Sequence, residues 1–158
     1  MKFILGTFLL IFSCKSTQNK GLKTIEEVSF QTLSSGVFYI NEPEEIYQGS
    51  FIAKEPSEWK AILNSLGKDN KESVNFKNTR IDFRNQMLLG IFDTPRSTGG
   101  FEIEIERIFN ESQGLKIIYT TRKPAPSDRV IMVVTQPYHI VITEKRIGSV
   151  TFVHNVSR

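Results

Sequence analysis

The stretch Gln86–Ile108, with the sequence QMLLGIFDTPRSTGGFEIEIERI, carries the strongest evidence for the fold of this chain. Its first part, Gln86–Phe92, is apolar at almost every position, which is typical of a central strand covered on both faces. Its last part, Phe101–Ile108, alternates apolar residues with glutamates and predicts a strand with one buried and one solvated face. The Asp93–Gly100 segment between them contains a proline and two glycines and predicts a loop. Two strands of such different character indicate a layered β structure.

One amphipathic helix is predicted at Glu55–Leu66. Pro56 suits its first turn, and Gly67 is typical of a residue that ends a helix. The apolar residues between them recur at spacings of three and four, so they form one stripe, and Trp59 is expected to be a core residue rather than a ligand-stacking one. The stripe consists of Trp59, Ile62, Leu63 and Leu66.

The other predicted strands are short and are separated by turn residues. A turn at Ser34–Gly36 precedes one of them, a turn at Asn110–Gly114 joins two into a hairpin, and Gln136-Pro137 separates two more. The polar Lys68–Thr79 stretch is expected to be a loop. The predicted strands are Val37–Ile40, Ile81–Phe83, Leu115–Thr121, Val130–Val134, Tyr138–Thr143 and Val150–Val153, the last following Gly148.

These segments together predict a mainly β domain of the β-rich α+β class. We expect an antiparallel sandwich or a partly open barrel of about seven or eight strands, with the amphipathic helix closing one side or end. The sequence shows no internal repeat and no low-complexity tract, so residues 24–158 are expected to form a single domain.

The first fourteen residues differ in kind from the rest. Lys2 is followed by the apolar run Phe3–Phe12 and by a small residue, Ser13, which is the layout of a secretion signal over residues 1–13. The run is too short to cross a bilayer as a stable helix. The alternative, a buried first strand or helix of the domain, would show amphipathic spacing, and this run does not.

Cys14 is the only cysteine of the chain, so an internal disulfide is impossible. Ile11–Cys14 resembles a bacterial lipobox, in which the cysteine is acylated and becomes the first residue, although Phe12 is bulkier than usual there. The alternative is a chance cysteine behind an ordinary secretory signal. The polar residues 14–23 favour the lipobox, because they suit a flexible tether. We therefore expect lipidation, such as palmitate, at Cys14 and a cell-envelope location on a membrane.

Motifs of known enzyme classes are absent from the sequence. The domain has no cysteine nucleophile, and His139 and His154 lie on separate predicted strands without companion ligands, so we expect no metal, no cofactor and no enzyme activity. The glutamates of the alternating strand form a solvated row, because neighbours two residues apart on a strand lie about 7 Å from each other. An active site assembled from Asp82, Asp93 and His139 is the open enzymatic alternative.

The charge of the chain does not favour nucleic acid as a partner. Lys and Arg number 20 against 17 Asp and Glu, which gives a net charge of +3. The basic residues are scattered, with no block of like charges.

Two segments are candidates for partner binding. Asp93–Gly100 is either a tight connection or an exposed recognition loop whose polar groups and glycine backbone can bind a partner. In Thr135–His139 the proline predicts an edge or a bend, with Tyr138 and His139 on opposite faces, one packed inside and one at the surface. The candidate binding residues are Arg96, Ser97, Thr98, Gly99, Gly100, Gln136, Pro137 and Tyr138.

The Ser97–Ile103 and Thr135–Ile142 motifs, in this order and on either side of the Lys123–Pro126 loop, give the chain its family resemblance. It resembles the C-terminal domain of the protease complex subunit PrcB family, from the Trp59 helix onward. The resemblance implies a small exported protein, often a lipoprotein, without established enzymatic activity; the founding member supports the stability of a surface protease complex. Many relatives carry a cysteine where this chain has Ser127–Arg129, so a role of that cysteine does not transfer.

The expected function is therefore that of a membrane-anchored, non-catalytic module that binds an exported protein, for which a protease is our candidate, and stabilises its complex. The alternative is a protease inhibitor that uses the Arg96–Gly100 loop. This alternative comes from a partial resemblance of Pro95–Phe101 to a loop of the chagasin-like cysteine-protease inhibitors.

Overall fold

The computed structural model describes residues 26–40, 47, 49–66 and 80–156. These residues form eight strands and one helix. In chain order they are β1 (Glu26–Glu27), β2 (Phe30–Tyr39), β3 (Gly49–Ala53), α1 (Pro56–Ser65), β4 (Gln86–Phe92), β5 (Glu102–Glu111), β6 (Gly114–Arg122), β7 (Thr135–Glu144) and β8 (Ser149–His154).

The strands form two four-stranded sheets, ordered β1-β5-β6-β8 and β2-β7-β4-β3. The sheets pack face to face, so the predicted sandwich is confirmed. The pairing is antiparallel except between β6 and β8, which run parallel. The chain begins in the first sheet as β1 and passes into the second as β2, and at this crossing the Val28 N–H donates to the Ile108 carbonyl at 2.8 Å.

The sheet β2-β7-β4-β3 is covered on both faces, as the sequence of β4 predicts. Met87, Leu89 and Ile91 belong to the core between the two sheets. Leu88 and Phe92 belong to a second core on the opposite face. Because successive strand residues point to opposite faces, a strand between two cores must be apolar at every position.

Helix α1 covers part of that second face, and Trp59, Ile62 and Leu66 are buried there as expected. The Trp59 ring stacks on Phe51 of β3 at a centroid distance of 5.9 Å. The helix begins with a capping box, in which the carboxylate of Glu58 accepts hydrogen bonds from the backbone N–H groups ahead of it. The predicted Trp59 helix is thus confirmed, whereas Gly67 and Lys68–Thr79 lie outside the described residues.

A bulge in β5 explains why its alternation changes along the strand. The register with β6 shifts between Ile105 and Arg107. Ile103 and Ile105 point into the core before the shift, and Ile108, three residues further on, points into it afterwards. Without an extra residue Ile105 and Ile108 would lie on opposite faces, so the bulge keeps both inside.

Four local predictions are wrong. Ser34–Gly36 is not a turn, because β2 runs through it, with Gly36 lying opposite Tyr138, whose ring covers the bare backbone. Ile81–Phe83 is not a strand but leads into a turn at Asp82–Asn85. Val130–Val134 is irregular, and Gln136-Pro137 lies within β7 instead of separating two strands.

Gly90→Ala is expected to lower the free energy of unfolding by about 1–3 kcal/mol. A Cβ atom at Gly90 would lie 2.0 Å from the Phe51 ring, which is itself buried. Urea denaturation followed through the single tryptophan measures the change. The companion Gly90→Ala/Phe51→Leu should recover part of the loss, and an unchanged midpoint for Gly90→Ala would contradict the tight contact.

Candidate functional site

The Asp93–Gly100 loop is fixed to the start of β7 by hydrogen bonds. The N–H of Arg96 donates to the Thr135 carbonyl at 2.7 Å, and the N–H of Thr135 donates to the Arg96 carbonyl at 2.9 Å. The Thr135 hydroxyl, fully buried, donates to the Thr98 carbonyl at 2.8 Å. The backbone of the loop is therefore held in one conformation at its centre.

The Arg96 side chain contributes to the same arrangement. Its guanidinium donates to one carboxylate oxygen of Asp93 at 2.6 and 2.9 Å and lies over the Phe101 ring at 4.9 Å. The side chain of Asp93 is only 10% exposed, so this ion pair is better shielded than an ordinary surface pair. Arg96 thus braces the loop rather than projecting freely from it.

The two glycines of the loop are explained by close packing. A Cβ at Gly99 would lie 2.7 Å from a side-chain carbon of Ile131, and the Gly99 N–H donates to the Ile131 carbonyl at 3.0 Å. Gly100 has a φ of +86° and packs against Pro124 and Val130. Both glycines are needed where the loop crosses the 123–134 segment, which supports the tight-connection interpretation. The recognition role stays a prediction, and Ser97 and Gly100 are exposed.

Gln136 is a buried clamp. Its side chain is fully inaccessible, and its Nε2 donates to the carbonyls of Tyr47 and, at 2.8 Å, Asp93. Its Oε1 accepts from the Tyr47 N–H at 3.2 Å. Every donor and acceptor of the amide is thereby used, which is what a polar group at full burial requires.

Pro137 lies in a central strand, so its prediction as an edge or a bend is wrong. Its carbonyl accepts from the Asp93 N–H at 2.9 Å, so its missing N–H also faces Asp93. In a regular antiparallel pair the Asp93 carbonyl would accept that N–H. It accepts the amide of Gln136 instead, and the adjacent glutamine compensates for the proline.

Tyr138 and His139 point to opposite faces as expected, but both are buried. Tyr138 stacks on Phe38 at a centroid distance of 4.2 Å, and burial raises the pKa of its hydroxyl, which bonds with the Ser34 hydroxyl at 3.0 Å. The expectation that one of the two lies at the surface fails because both faces of this sheet are covered.

His139 connects the two sheets. The N–H of Ile105 in β5 donates to its Nδ1 at 2.8 Å, so the proton of the neutral ring is on Nε2, which donates to the Thr32 hydroxyl at 2.9 Å. Burial lowers the pKa of His139, and the nearby carboxylate of Glu104 opposes that change only in part. A neutral imidazole is therefore the form that fits this position.

The structure thus divides the sequence-predicted binding residues into two groups. The 96–100 loop reaches the surface at Ser97 and Gly100, whereas Gln136, Pro137 and Tyr138 lie inside and support it from beneath. The latter three would affect a partner only through the loop. Cys14, the signal over residues 1–13 and the tether over 14–23 lie outside the described residues.

An apolar surface beside this loop was missed. Tyr39 and the consecutive Ile131–Val134 are exposed, with Met132 at 81%. The sequence of Val130–Val134 looks like a buried strand, so its hydrophobicity was assigned to the core. We call Tyr39 and Ile131–Val134 the apolar rim; the hydrogen bond from the Ile40 N–H to the Val134 carbonyl at 3.0 Å holds both of its parts together.

Two residues of the enzymatic alternative, Asp82 and Asp93, lie far apart. Asp82 precedes β4 and Asp93 follows it, so a seven-residue strand separates them by roughly 20 Å. Asp82 bonds within its own turn to Asn85, and Asp93 pairs with Arg96. Among the described residues there is also no group of three side chains suited to hold a metal ion.

No helix in the described part of the chain has the length and apolarity needed to cross a membrane.

Fold and site together define a β-sandwich domain with a braced surface loop and a buried polar support. Residues 87–144, from β4 to β7, match the family model described as PrcB C-terminal. The match contains the loop and its support but begins after the Trp59 helix, which the sequence resemblance included. No curated protein and no solved structure matches the chain.

Gln136→Ala is expected to lower the free energy of unfolding by about 2–4 kcal/mol, because it leaves buried groups of Tyr47 and Asp93 without partners. Gln136→Glu should lower the free energy of unfolding further, since its carboxylate would face two carbonyl oxygens. Chemical denaturation measures both variants, and equal stability of Gln136→Glu and wild type would refute the clamp.

The free energy of unfolding should fall as the pH is lowered from about 7.5 to about 5.5. The folded-state pKa of His139 lies below its ordinary value of 6.5, so the unfolded chain takes up the proton first. The free energy of unfolding is measured against pH for the wild type and for His139→Gln. The difference between the two curves isolates the contribution of His139. His154→Gln, which replaces the other histidine, is the control for the loss of an imidazole.

Proposed function

We propose that this protein is a membrane-anchored, non-catalytic module that binds an exported protease and stabilises its complex. The observation that supports this most directly is the continuous surface formed by the 96–100 loop and the apolar rim, both within or next to the family segment. The PrcB C-terminal match suggests association with a protease complex.

The loop offers a partner polar groups that are already ordered. Its central backbone is bonded to Thr135, and Arg96 is tied to Asp93. Binding then orders few additional groups, which reduces the entropy cost of association. Ser97 and the backbone of Gly100 are the exposed groups available for hydrogen bonds.

The apolar rim supplies the hydrophobic part of the interface. Contiguous exposed apolar residues are unusual on a monomeric protein and mark interaction surfaces. Gly99 joins the two parts of the surface, because it contacts Ile131 through its backbone. An apolar centre beside a polar edge is the usual composition of a protein–protein interface.

Acylation at Cys14 would hold this surface near a membrane. Tethering raises the effective concentration of the module for a partner at the same membrane, so a modest interface suffices. The tether over residues 14–23 would provide the reach.

The inhibitor alternative has less support. An inhibitory loop must enter a protease cleft, and Arg96 is held against Asp93 and Phe101 instead. Titration of papain-type and subtilisin-type proteases with the purified protein separates the two functions, because a stabilising partner leaves turnover unchanged.

Met132→Glu is expected to reduce the partner retrieved with the tagged protein from detergent extracts by about tenfold or more, as a charge placed in an apolar contact is costly. Met132 is 81% exposed, so its replacement should leave the fold intact. The matched control is Ile147→Glu, an aliphatic residue 99% exposed beyond the other end of β7.

Retrieval of no protein by the wild type above the Met132→Glu background would refute the binding role. Cys14→Ser tests the anchor separately, since the variant should leave the membrane fraction. Equal membrane association of Cys14→Ser and wild type would contradict lipidation.

A further inference from the structure

A cleft of about 570 Å³ opens between β2 and β5, where the two sheets diverge. At one end of this seam the chain crosses from β1 to β2, and there the Val28 N–H still donates to the Ile108 carbonyl of β5. From there β2 and β5 separate toward Val37 and Phe101, which line the open end. The volume is within the range of sites that enclose small ligands or short peptide segments.

One wall of the cleft is the outer edge of β2, which is the outermost strand of its sheet among the residues that the structure describes. The N–H of Ile40 points to β7, where it donates to Val134. Because backbone groups alternate in direction along an antiparallel strand, those of Val37 and Ser35 point away from β7. These two residues line the cleft, so they present strand donors and acceptors to it.

The opposite wall is the edge of β5 that β1 leaves uncovered. Among the described residues, β1 and the following Val28 cover β5 from Ile108 to Asn110 and not further toward Glu102. The N–H of Ile105 points away from β6 to His139, so the backbone groups of Ile103, two residues earlier, point the same way. His139 therefore occupies the position of a strand partner at the narrow end, and no strand of the described part of the chain pairs with the rest of this edge.

We propose that this cleft receives an extended segment of the protein partner, which pairs with the β2 edge as an added strand. The proposal rests on the proposed binding function and deepens it, since it assigns a second contact beside the apolar rim. Two facing strand edges with outward-pointing backbone groups are the arrangement that peptide-strand addition uses. Backbone pairing supplies the affinity, and the side chains at the cleft mouth supply the selectivity.

The charges at the mouth specify the segment further. Glu102 and Glu104 both face Arg122, at 3.8 and 3.1 Å. Two carboxylates against one guanidinium leave one negative charge uncompensated. The bound segment therefore carries a lysine or arginine at this position.

The test replaces Ser35 by proline in the full-length protein. Ser35 is exposed and its N–H points outward, so Ser35→Pro removes a donor and blocks an added strand without breaking the ladder to β7. Ser50→Pro is the matched control, because Ser50 is an exposed serine on β3, the other edge of the same sheet. Backbone groups alternate in direction along β4, and the Asp93–Pro137 bond shows which of them point to β7. By this alternation and the β3–β4 register, the N–H of Ser50 points away from β4, as that of Ser35 points away from β7.

Two assays are run on the wild type and both variants in mild detergent. The first is retrieval of the partner from extracts; the second is selection of displayed random decapeptides, which needs no natural partner. Ser35→Pro should lower both partner retrieval and the affinity of selected peptides by about tenfold or more, whereas Ser50→Pro should change neither. Selected peptides should be enriched in lysine or arginine.

The outcomes separate this proposal from the binding function. Partner retrieval that Met132→Glu abolishes and Ser35→Pro leaves unchanged would overturn the cleft proposal alone. Peptide selection that depends on Ser35 while no partner is retrieved would support the cleft and refute the function. A dimer of the protein in light scattering that only Ser35→Pro dissociates would place a second copy in the cleft and overturn the proposal.

Discussion

The sheet β2-β7-β4-β3 is covered on both faces, and this coverage governs which side chains the domain can accommodate. Every side chain of β4 and β7 away from the strand ends then points into one of two cores. Apolar residues meet this condition directly. Each polar residue on these strands must find its partners inside the protein, because burying an unpaired polar group costs about 1–3 kcal/mol.

The polar residues of β7 meet that condition by binding other parts of the chain. Thr135 holds the 96–100 loop, Gln136 holds Tyr47 and Asp93, and His139 holds β2 and β5. The hydrogen bonds that satisfy these buried groups are therefore the same bonds that order the surface loop. A partner that docks on the loop meets a surface fixed by the core of the domain.

The same constraint explains which local predictions failed. A proline and a glycine would ordinarily interrupt strands, as we expected at Pro137 and Gly36. Pro137 is accommodated because β4 ends at the point where its N–H would be needed, and Gly36 because the Tyr138 ring covers it. Conversely, Val130–Val134 has the composition of a strand, yet the loop glycines hold it at the surface. None of these contacts is between neighbours in sequence.

Local sequence patterns predicted β4 with two covered faces, the alternating β5, the Trp59 helix and hence the sandwich, because periodicity indicates which faces of an element are buried. They also located the 96–100 loop and the Thr135–Tyr138 segment as a pair. Long-range packing, by contrast, places Gln136, Pro137 and Tyr138 inside, the apolar rim outside, and a cleft between β2 and β5. The reason is physical: burial and pairing at these positions depend on contacts between residues about 30 to 100 positions apart, which local pattern does not encode.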